Sequence, residues 1–334
     1  MSSPPAPLGR LGMMPAEIVR HVCQTLSISD LFNLRLADPF YLGLVVDKTV
    51  FPDMHRLKVT LNGDDTAIFE FTRKSSMLAS VCRTTTSNDD WRDAVRLSRN
   101  IKHLEIDVAK DASSSRVFHA FGTADIRLKS MRLKIRDGSS RASERVQRLH
   151  KNITSLVACH SSTLVHLEAS TSSGHTVNAE IDDDTLVLDY EHTHTAPEVD
   201  QLQTHALAYN MFHAVLAKRK CSKVTLNIES KGNVSIGLQR AFQIAMPYGN
   251  RRNLSELTIV FGSAVQQVAE EEVQKLILAH MEEFHYTTPN LQHFICSLPH
   301  SFISLEMLQN AIQDQIQQSR PYKSSIQQRP VHCK

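Results

Sequence analysis

Histidines and carboxylates concentrate between residues 180 and 194, where they could in principle hold a metal ion. His192 and His194 flank one threonine, and the nearby acids are Asp182, Asp183, Asp184, Asp189 and Glu191. A metal site would need three or four of these side chains to converge on one point. The stretch is threonine-rich and of loop type, so we expect a solvated loop and predict no metal and no other cofactor.

The motifs that position phosphates or activate nucleophiles do not occur in the chain. It has no glycine-rich phosphate loop, Gly-x-Ser-x-Gly turn or His-Glu-x-x-His helix, and only 11 of its 334 residues are glycine. Its six cysteines form no Cys-x-x-Cys pair, which favours free thiols in a reducing compartment. We therefore expect a non-catalytic protein, and an enzyme with a divergent site is the least favoured alternative.

A second polar set alternates with aliphatic residues and indicates recognition. Residues 131–136 read Met-Arg-Leu-Lys-Ile-Arg, which in a strand would form an exposed basic row over an apolar face. Neighbouring strands would add acidic and neutral side chains to that surface. Mixed charge suits protein recognition better than a nucleic-acid backbone, although a merely solvated surface stays open. The candidate client-binding face comprises Glu105, Asp107, Arg132, Lys134, Arg136, Glu168, Thr225 and Asn227.

The strands that would carry this face share a short repeated pattern. It consists of three apolar residues, the first two separated by two residues of any type and the last two by one. Its copies begin at Ile101, Leu128, Leu164, Cys221, Leu254 and Leu291, and residues 186–188 sit where a further strand would lie. Helical periodicity falls between them, at 142–160, 200–220, 235–246, 268–286 and 304–318. This alternation predicts a β/α solenoid whose strands resemble leucine-rich repeats, all parallel and paired with sequence neighbours. No asparagine stands after the strands to hold the turns, so we expect an irregular arc; an ordinary α/β domain is the alternative.

The segments around the repeats have simpler patterns. Residues 55–61 and 66–71 alternate around an Asn-Gly-Asp-Asp turn, which predicts a hairpin. Residues 170–176 are rich in serine, threonine and glycine, which predicts a loop. Near the N-terminus, Pro15 would be the first residue of a helix with one apolar stripe, formed by Ile18, Val22 and Leu26 with Val19 and Cys23 one step round. The Ser-Ile-Ser-Asp run at 27–30 predicts a capping box on a second helix, which Asp38-Pro39 would end.

This N-terminal block resembles an F-box. The residues that carry the resemblance are Leu11, Met14, Pro15, Glu17, Ile18, Leu26, Ser27, Asp30, Leu31, Leu34, Arg35, Leu36 and Phe40. Members of that family fold as a small helical unit that binds the Skp adaptor of cullin–RING ubiquitin ligases. The resemblance implies an adaptor-binding set, on or just under the docking face, of Met14, Pro15, Ile18, Leu26, Leu31, Leu34 and Arg35. Two departures are Met14 in place of a leucine and residues 37–39 in place of a Val-Cys-Lys-like run, which predicts a shortened second helix.

These observations predict a mixed α/β protein in five parts. They are a disordered tail (1–9), an F-box-like helical unit (10–46), a connector (47–75), an irregular leucine-rich-repeat-like solenoid (76–318) and a flexible tail (319–334). The resemblance implies the substrate-recognition subunit of a Skp–cullin–F-box ligase, with an unidentified client protein. The alternative is a repeat scaffold outside any ligase, with the N-terminal helices as an end cap.

Composition and charge narrow the class of partner and the location. Hydrophobic residues make up 41% of the chain and charged residues 22%, as in globular proteins, and the net charge is only +2. We expect no nucleic-acid partner, because no global basic field would attract one. The chain has no signal-peptide pattern and no apolar run approaching about 20 residues, so we expect no membrane contact and a cytoplasmic or nuclear location.

Overall fold

The computed structural model has a mixed α/β fold, as predicted. It describes residues 13–62, 66–74, 81–85, 90–109, 115–123, 126–136, 144–171, 176–192, 209–215, 219, 221–230, 240–241, 243–244, 252–262, 275, 290–298, 302–307, 309–310 and 313. The predicted tails at 1–9 and 319–334, His194, and most of the predicted helix at 268–286 lie outside the described residues.

The N-terminal stretch consists of short helices. They are α1 (Ala16–Cys23), α2 (Ile28–Ala37) and α3 (Leu42–Val45), followed by a π-helical turn (Val46–Val50) and a 3₁₀ turn (Phe51–Asp53). The predicted capping box is confirmed: Asp30 N donates to the Ser27 hydroxyl at 3.1 Å, and Ser27 N donates to the Asp30 carboxylate at 3.4 Å. Helix α2 ends just before Asp38-Pro39, also as predicted.

Two details of α1 differ from the predictions. Pro15 is the N-cap rather than the first helical residue, because its ψ of 147° is extended. Of the predicted apolar stripe, Val19 and Cys23 are buried, but Ile18 is 49% exposed. Helix α1 contacts α3 and the π-helical turn, and this packing decides which side of the stripe is buried.

The described strands form one 12-stranded sheet. Their bounds are β1 (Met54–Leu61), β2 (Ala67–Arg73), β3 (Val81–Thr85), β4 (His103–Val108), β5 (Ser130–Ile135), β6 (His166–Thr171), β7 (Thr176–Asp182), β8 (Thr185–His192), β9 (Lys223–Ser230), β10 (Glu256–Phe261), β11 (His293–Ser297) and β12 (Phe302–Ser304). Strands β4, β5, β6, β9, β10 and β11 each begin two residues after the first apolar residue of a repeated pattern. All six predicted pattern strands are therefore present, and β8 occupies the position of the seventh.

The strand order is β12-β11-β10-β9-β8-β7-β6-β5-β4-β1-β2-β3. The predicted hairpin is confirmed as the antiparallel pair β1–β2. The prediction that all later strands run parallel is wrong, because β7 is antiparallel to both neighbours and β12 is antiparallel to β11. The predicted loop at 170–176 is shorter than expected: β6 reaches Thr171 and β7 starts at Thr176, since Val177, Ala179 and Ile181 bury one side of a strand there.

One face of the sheet carries the core. A continuous row of register partners on that face is fully or almost fully buried: Leu57, Leu104, Met131, Leu167, Ala179, Leu188, Leu226, Ile259 and Cys296. Helices α4 (Asp90–Leu97), α5 (Ser115–Thr123) and α6 (Glu144–His160) contribute to the same core. The stack of Trp91 from α4 on Phe69 from β2, with ring centroids 4.7 Å apart, belongs to it.

The N-terminal helices share this core with the sheet. Phe32 of α2 and Phe51 of the 3₁₀ turn are buried, and their ring centroids lie 5.4 Å apart. Helix α2 also contacts β3 and α4. The core therefore runs without a break across the predicted boundary between residues 46 and 47.

The turns before the strands are held by side chains of several types, and not by an asparagine repeated at one position. At the starts of strands, backbone carbonyls accept hydrogen bonds from Asn100 (to Pro52 O, 2.7 Å), Thr163 (to Leu128 O, 2.7 Å), Arg219 (to Leu164 O, 2.8 Å), Ser255 (to Ser222 O, 3.1 Å) and Asn290 (to Arg252 O, 2.6 Å). The backbone geometry there repeats: two consecutive amides donate to one carbonyl of the preceding strand start, as Ser255 and Glu256 do to Ser222 at 2.8 and 3.1 Å. Different residue types thus support one recurring connection.

Candidate docking surfaces

Large apolar side chains are exposed on the N-terminal helices. Phe40 is 90% exposed and Leu36 is 76% exposed, although a packed core lies directly beneath. We define the N-terminal apolar surface as the exposed residues Met13, Ile18, Leu36, Phe40 and Leu44. Grouped exposed apolar residues commonly mark contact sites for another protein.

Two contacts hold together the segments that carry this surface. The Tyr41 hydroxyl donates a hydrogen bond to the Met14 carbonyl, which joins the residue before α3 to the segment before α1. A Cβ built on Gly43 would lie 3.3 Å from both Arg35 Cγ and the Arg35 carbonyl oxygen. Helix α3 therefore approaches the end of α2 closely at Gly43, where little room is left for a side chain.

Polar contacts fix the connection between α2 and α3. The buried Asp38 carboxylate accepts hydrogen bonds from the backbone amides of Phe40 at 3.2 Å and Tyr41 at 3.1 Å. Arg35 forms an ion pair with Asp47, with Nε 2.8 Å from a carboxylate oxygen. The Asp38-Pro39 departure from the F-box pattern therefore forms an ordered turn that presents Phe40 to solvent.

The predicted adaptor-binding residues occupy different depths. Pro15 and Ile18 are exposed, whereas Met14, Leu26, Leu34 and Arg35 are half-buried. Leu31 is fully buried in the core, so it would support a docking face from beneath and not touch a partner. Leu36 and Phe40 carried the resemblance but were not predicted as contacts, and they are the more exposed residues.

The predicted client-binding residues lie on the solvent-facing side of the sheet, and many share one row. We define the charged row as the consecutive register partners Lys58, Glu105, Arg132, Glu168, Asn178, Asp189 and Asn227. Thr225 lies in the adjacent row, two residues before Asn227 on β9. The strand register thus unites residues from β1 to β9 that are 169 positions apart in sequence (58 to 227).

Most charges in and beside this row are paired with one another. Arg132 Nε lies 2.7 Å from a Glu168 oxygen, and Lys58 Nζ lies 3.7 Å from Glu105. Asn227 donates a hydrogen bond to Asp189 at 2.7 Å, and Asn178 donates one to the same carboxylate at 3.3 Å. These pairs order the surface, but they also occupy groups that a client would otherwise contact.

A second row of polar side chains runs along the next positions of the strands. Arg136 binds Asp107 with two hydrogen bonds, at 2.9 and 2.6 Å, and this contact raises the pKa of the Arg136 guanidinium. Asp107 is only 6% exposed, so its carboxylate is available to Arg136 and little else. Lys134, its register partner, is exposed and has no ion pair within the described residues.

The part of the chain that the structure describes contains no candidate metal site. No group of three or more His, Cys, Asp or Glu side chains in those ranges could hold a metal ion. Asp189 instead accepts hydrogen bonds from asparagines, and Asp184 accepts one from Ser222 at 3.2 Å. None of the helices in the described ranges is long and apolar enough to cross a membrane.

Sequence reasoning missed a group of histidines beside the charged row. His103 and His166 are both register partners of Ser130, on either side of it, and the ring of His55 packs edge-on against His103 with centroids 4.8 Å apart. These histidines come together only through the strand register. In the sequence, the one sign that they would face solvent was their alternation with leucines that are buried.

No protein-family model matches the chain, and no curated protein matches it significantly.

Proposed function

We propose that this protein is the substrate-recognition subunit of a Skp–cullin–F-box ubiquitin ligase. The observation that carries the proposal is the N-terminal apolar surface: a capped, tightly packed helical unit that buries Val19 and Leu31 yet exposes Leu36 and Phe40. These helices have the F-box-like residue pattern, and an exposed apolar surface on them suits a hydrophobic adaptor. The Skp adaptor, and through it a cullin–RING ligase, is the partner proposed for this surface.

The sheet is the client-binding element in this proposal. Support for a leucine-rich-repeat-like solenoid comes from the sequential strand order and from the repeated carbonyl contacts at strand starts. The two parallel runs, β4-β5-β6 and β8-β9-β10-β11, each extend over consecutive pattern strands. The antiparallel β7 accounts for the irregular spacing of the patterns, because it adds a hairpin between two otherwise regular runs.

The chain itself performs no chemical step in this proposal. It holds a client near the ubiquitin-transfer machinery and thereby raises the effective concentration of the client's lysines. Adaptor and client would bind at separate surfaces, the first on the N-terminal helices and the second on the solvent-facing side of the sheet. The working compartment would be the cytoplasm or nucleus.

The test is capture of the Skp adaptor by the full-length chain. Ile18→Glu combined with Phe40→Glu places two charges on exposed positions, so the fold should be retained while adaptor capture falls by about tenfold or more. Val165→Glu is the matched control, because Val165 is also an exposed apolar residue but lies before β6. Fluorescence of Trp91, the only tryptophan, verifies folding in each variant.

The outcomes of this test are distinct. Loss of capture in the Ile18/Phe40 variant, with capture retained in Val165→Glu, supports the ligase assignment. Failure of the wild-type chain to capture the adaptor, or equal capture by all three proteins, refutes it.

A repeat scaffold with an N-terminal end cap is the second candidate, and the shared core favours it specifically. Phe51 and Phe32 join the helices to the sheet, as an end cap requires. Deleting residues 1–46 would expose this core under either hypothesis, so truncation does not separate them. Adaptor capture does, because a mere cap has no reason to bind Skp.

A further inference from the structure

Cationic side chains gather at one corner of the sheet, next to the charged row. We define the cationic corner as His55, Arg56, Lys74, Lys102 and His103. Arg56 of β1 is the register partner of His103 on β4. The Lys102 amide donates to the His55 carbonyl at 2.9 Å, and the Lys74 amide donates to the Asp53 carbonyl at 3.0 Å. These backbone contacts bring the end of β2 and the starts of β1 and β4 to one place.

The corner differs from the charged row because three of its cations have no ion pair in the described part of the chain and lie close together. Within the described residues, Arg56, Lys74 and Lys102 are exposed and form no ion pair with a carboxylate. On the neighbouring strands, by contrast, Arg132 and Arg136 are each bound to an acid at less than 3 Å. Three unneutralised cations beside two half-buried imidazoles create a local positive potential that the net charge of +2 conceals.

The pKa values of the two histidines are shifted in the direction that this positive potential requires. Burial lowers the pKa of His55, and the charges of Lys102, Lys74 and Arg56 lower it further. Burial also lowers the pKa of His103, followed by the effects of His55, Arg56, Lys102 and His166. Every charged group that shifts these pKa values is therefore cationic or becomes so on protonation.

We propose that the cationic corner binds an acidic, carboxylate-rich segment of a partner polypeptide. As the contact that selects a client, it deepens the proposed function and rests on it. Cations without internal partners lose no existing ion pair when they contact a ligand carboxylate, unlike Arg132 or Arg136. The corner would therefore supply the charge recognition that the paired residues of the charged row cannot.

Its acidic borders favour a short polypeptide segment over nucleic acid. Glu105 lies two residues beyond His103 on β4, Glu168 has an oxygen 3.9 Å from His166 Nε2, and Glu180 is the register partner of His166. A phosphate backbone extended along the sheet would meet these carboxylates, whereas a compact acidic segment could stay within the corner. A protein that binds along a phosphate backbone needs uniformly basic contacts. The described residues of this face do not provide them.

Anion binding at this corner should strengthen with acid. Ligand carboxylates stay ionised at about pH 5.5, while bound anions favour the protonated imidazoles of His55 and His103. The charged groups that act on these rings are Arg56, Lys74, Lys102 and His166. Acidic residues lie at neighbouring positions: Asp53 just before β1, Glu105 on β4, and Glu168 and Glu180 beside His166. We attribute the expected change in affinity to His55 and His103.

The experiment measures binding of a fluorescein-labelled oligoglutamate peptide to the purified full-length chain by fluorescence anisotropy. The triple variant Arg56→Gln, Lys74→Gln, Lys102→Gln should bind roughly tenfold more weakly, since it removes three exposed charge contacts. The control variant replaces three exposed cations elsewhere and removes the same net charge: Arg20→Gln, Lys151→Gln and Arg252→Gln. It should bind like the wild type.

A second comparison tests the histidines. Wild-type affinity should rise several-fold between about pH 7.5 and about pH 5.5, and His55→Gln with His103→Gln should remove most of that rise. No preference of the wild type for oligoglutamate over an uncharged peptide would overturn the proposal, as would equal weakening in both triple variants. Tighter binding of an oligothymidylate through the same three cations would overturn it in favour of nucleic acid.

These outcomes are separable from the adaptor test. The anisotropy assay contains no Skp adaptor, so a failure there leaves adaptor capture unaffected. Failure of adaptor capture with intact oligoglutamate binding would refute the ligase assignment and retain the corner as a docking site of a scaffold.

Discussion

Phe51→Ala should destabilise the N-terminal helices and the sheet together. Phe51 is fully buried, and its ring is 5.4 Å from that of Phe32, so truncation leaves a cavity at the junction of the two parts. Removing a buried phenylalanine ring typically costs about 3–5 kcal/mol of unfolding free energy. About 0.5–1.5 kcal/mol of this loss should come from the aromatic pair itself.

The assay for this prediction is urea unfolding followed by two probes. Trp91 fluorescence reports the packing of α4 on β2, since Trp91 is buried against Phe69. Circular dichroism reports the helices and strands as a whole. Because α2 contacts α4, both transitions should move to lower urea concentration by the same amount.

A double-mutant cycle with Phe32→Ala isolates the contact between the rings. The double variant should be less destabilised than the sum of the single variants, by the energy of the aromatic pair. If Trp91 fluorescence keeps its wild-type midpoint while dichroism shows early loss of helix, the helices and the sheet unfold separately. That result would refute the inference of one continuous core.

Three further predictions concern local chemistry. Ser27→Ala should lower the unfolding free energy by about 1 kcal/mol in urea titrations, because it removes the α2 cap, while Ser27→Thr, which keeps the hydroxyl, should preserve most of it; equal losses would contradict the capping role. Burial lowers the pKa of His160 below its ordinary value of about 6.5, so the unfolded chain takes up the proton first and the unfolding free energy should fall as pH drops below that value. His160→Gln should flatten this decline in urea titrations at several pH values, and an unchanged slope would exclude His160 as its source. N-ethylmaleimide should modify exposed Cys159 in the native protein and spare Cys296, which is buried with its pKa raised to about 12; mass spectrometry that finds equal labelling would contradict this burial.

The repeated strands could be predicted from sequence because their apolar residues recur at fixed spacing. Ile101 and Leu128, for example, each mark a strand two residues later. The capping box and the end of α2 were also predictable, since Ser27, Asp30 and Pro39 act on the backbone within a few residues. Local interactions therefore account for the part of the fold that sequence predicted.

What was missed depends on contacts between distant residues. The apolar stripe predicted on α1 contains both Val19 and Ile18, and only packing decides that Val19 is buried while Ile18 is exposed. Strand β7 was hidden by the serine-rich residues before it, although Val177, Ala179 and Ile181 alternate correctly. Such choices follow from tertiary packing, which overrides local preference.

The candidate surfaces were predicted only in outline for the same reason. The solvent-facing side of the sheet follows from alternation, but the pairing of Arg132 with Glu168 depends on the register of two strands 36 residues apart. The cationic corner likewise needs β1, β2 and β4 to meet at one end. Sequence thus predicted which residues face solvent, and it could not predict which of them are already neutralised.

The hairpin formed by the antiparallel strands β7 and β8 offers a site at which extra sequence could be inserted. Because β8 reverses direction a second time, β9 resumes parallel to β8 with the same polarity as β6. Asp182, the last residue of β7, and Asp183, the first residue of the turn, are both exposed, whereas the carbonyl of Asp184 holds the start of β9 through the amides of Ser222 and Lys223. A fluorophore or epitope inserted between residues 182 and 183 would extend the hairpin outward and leave both parallel runs in register.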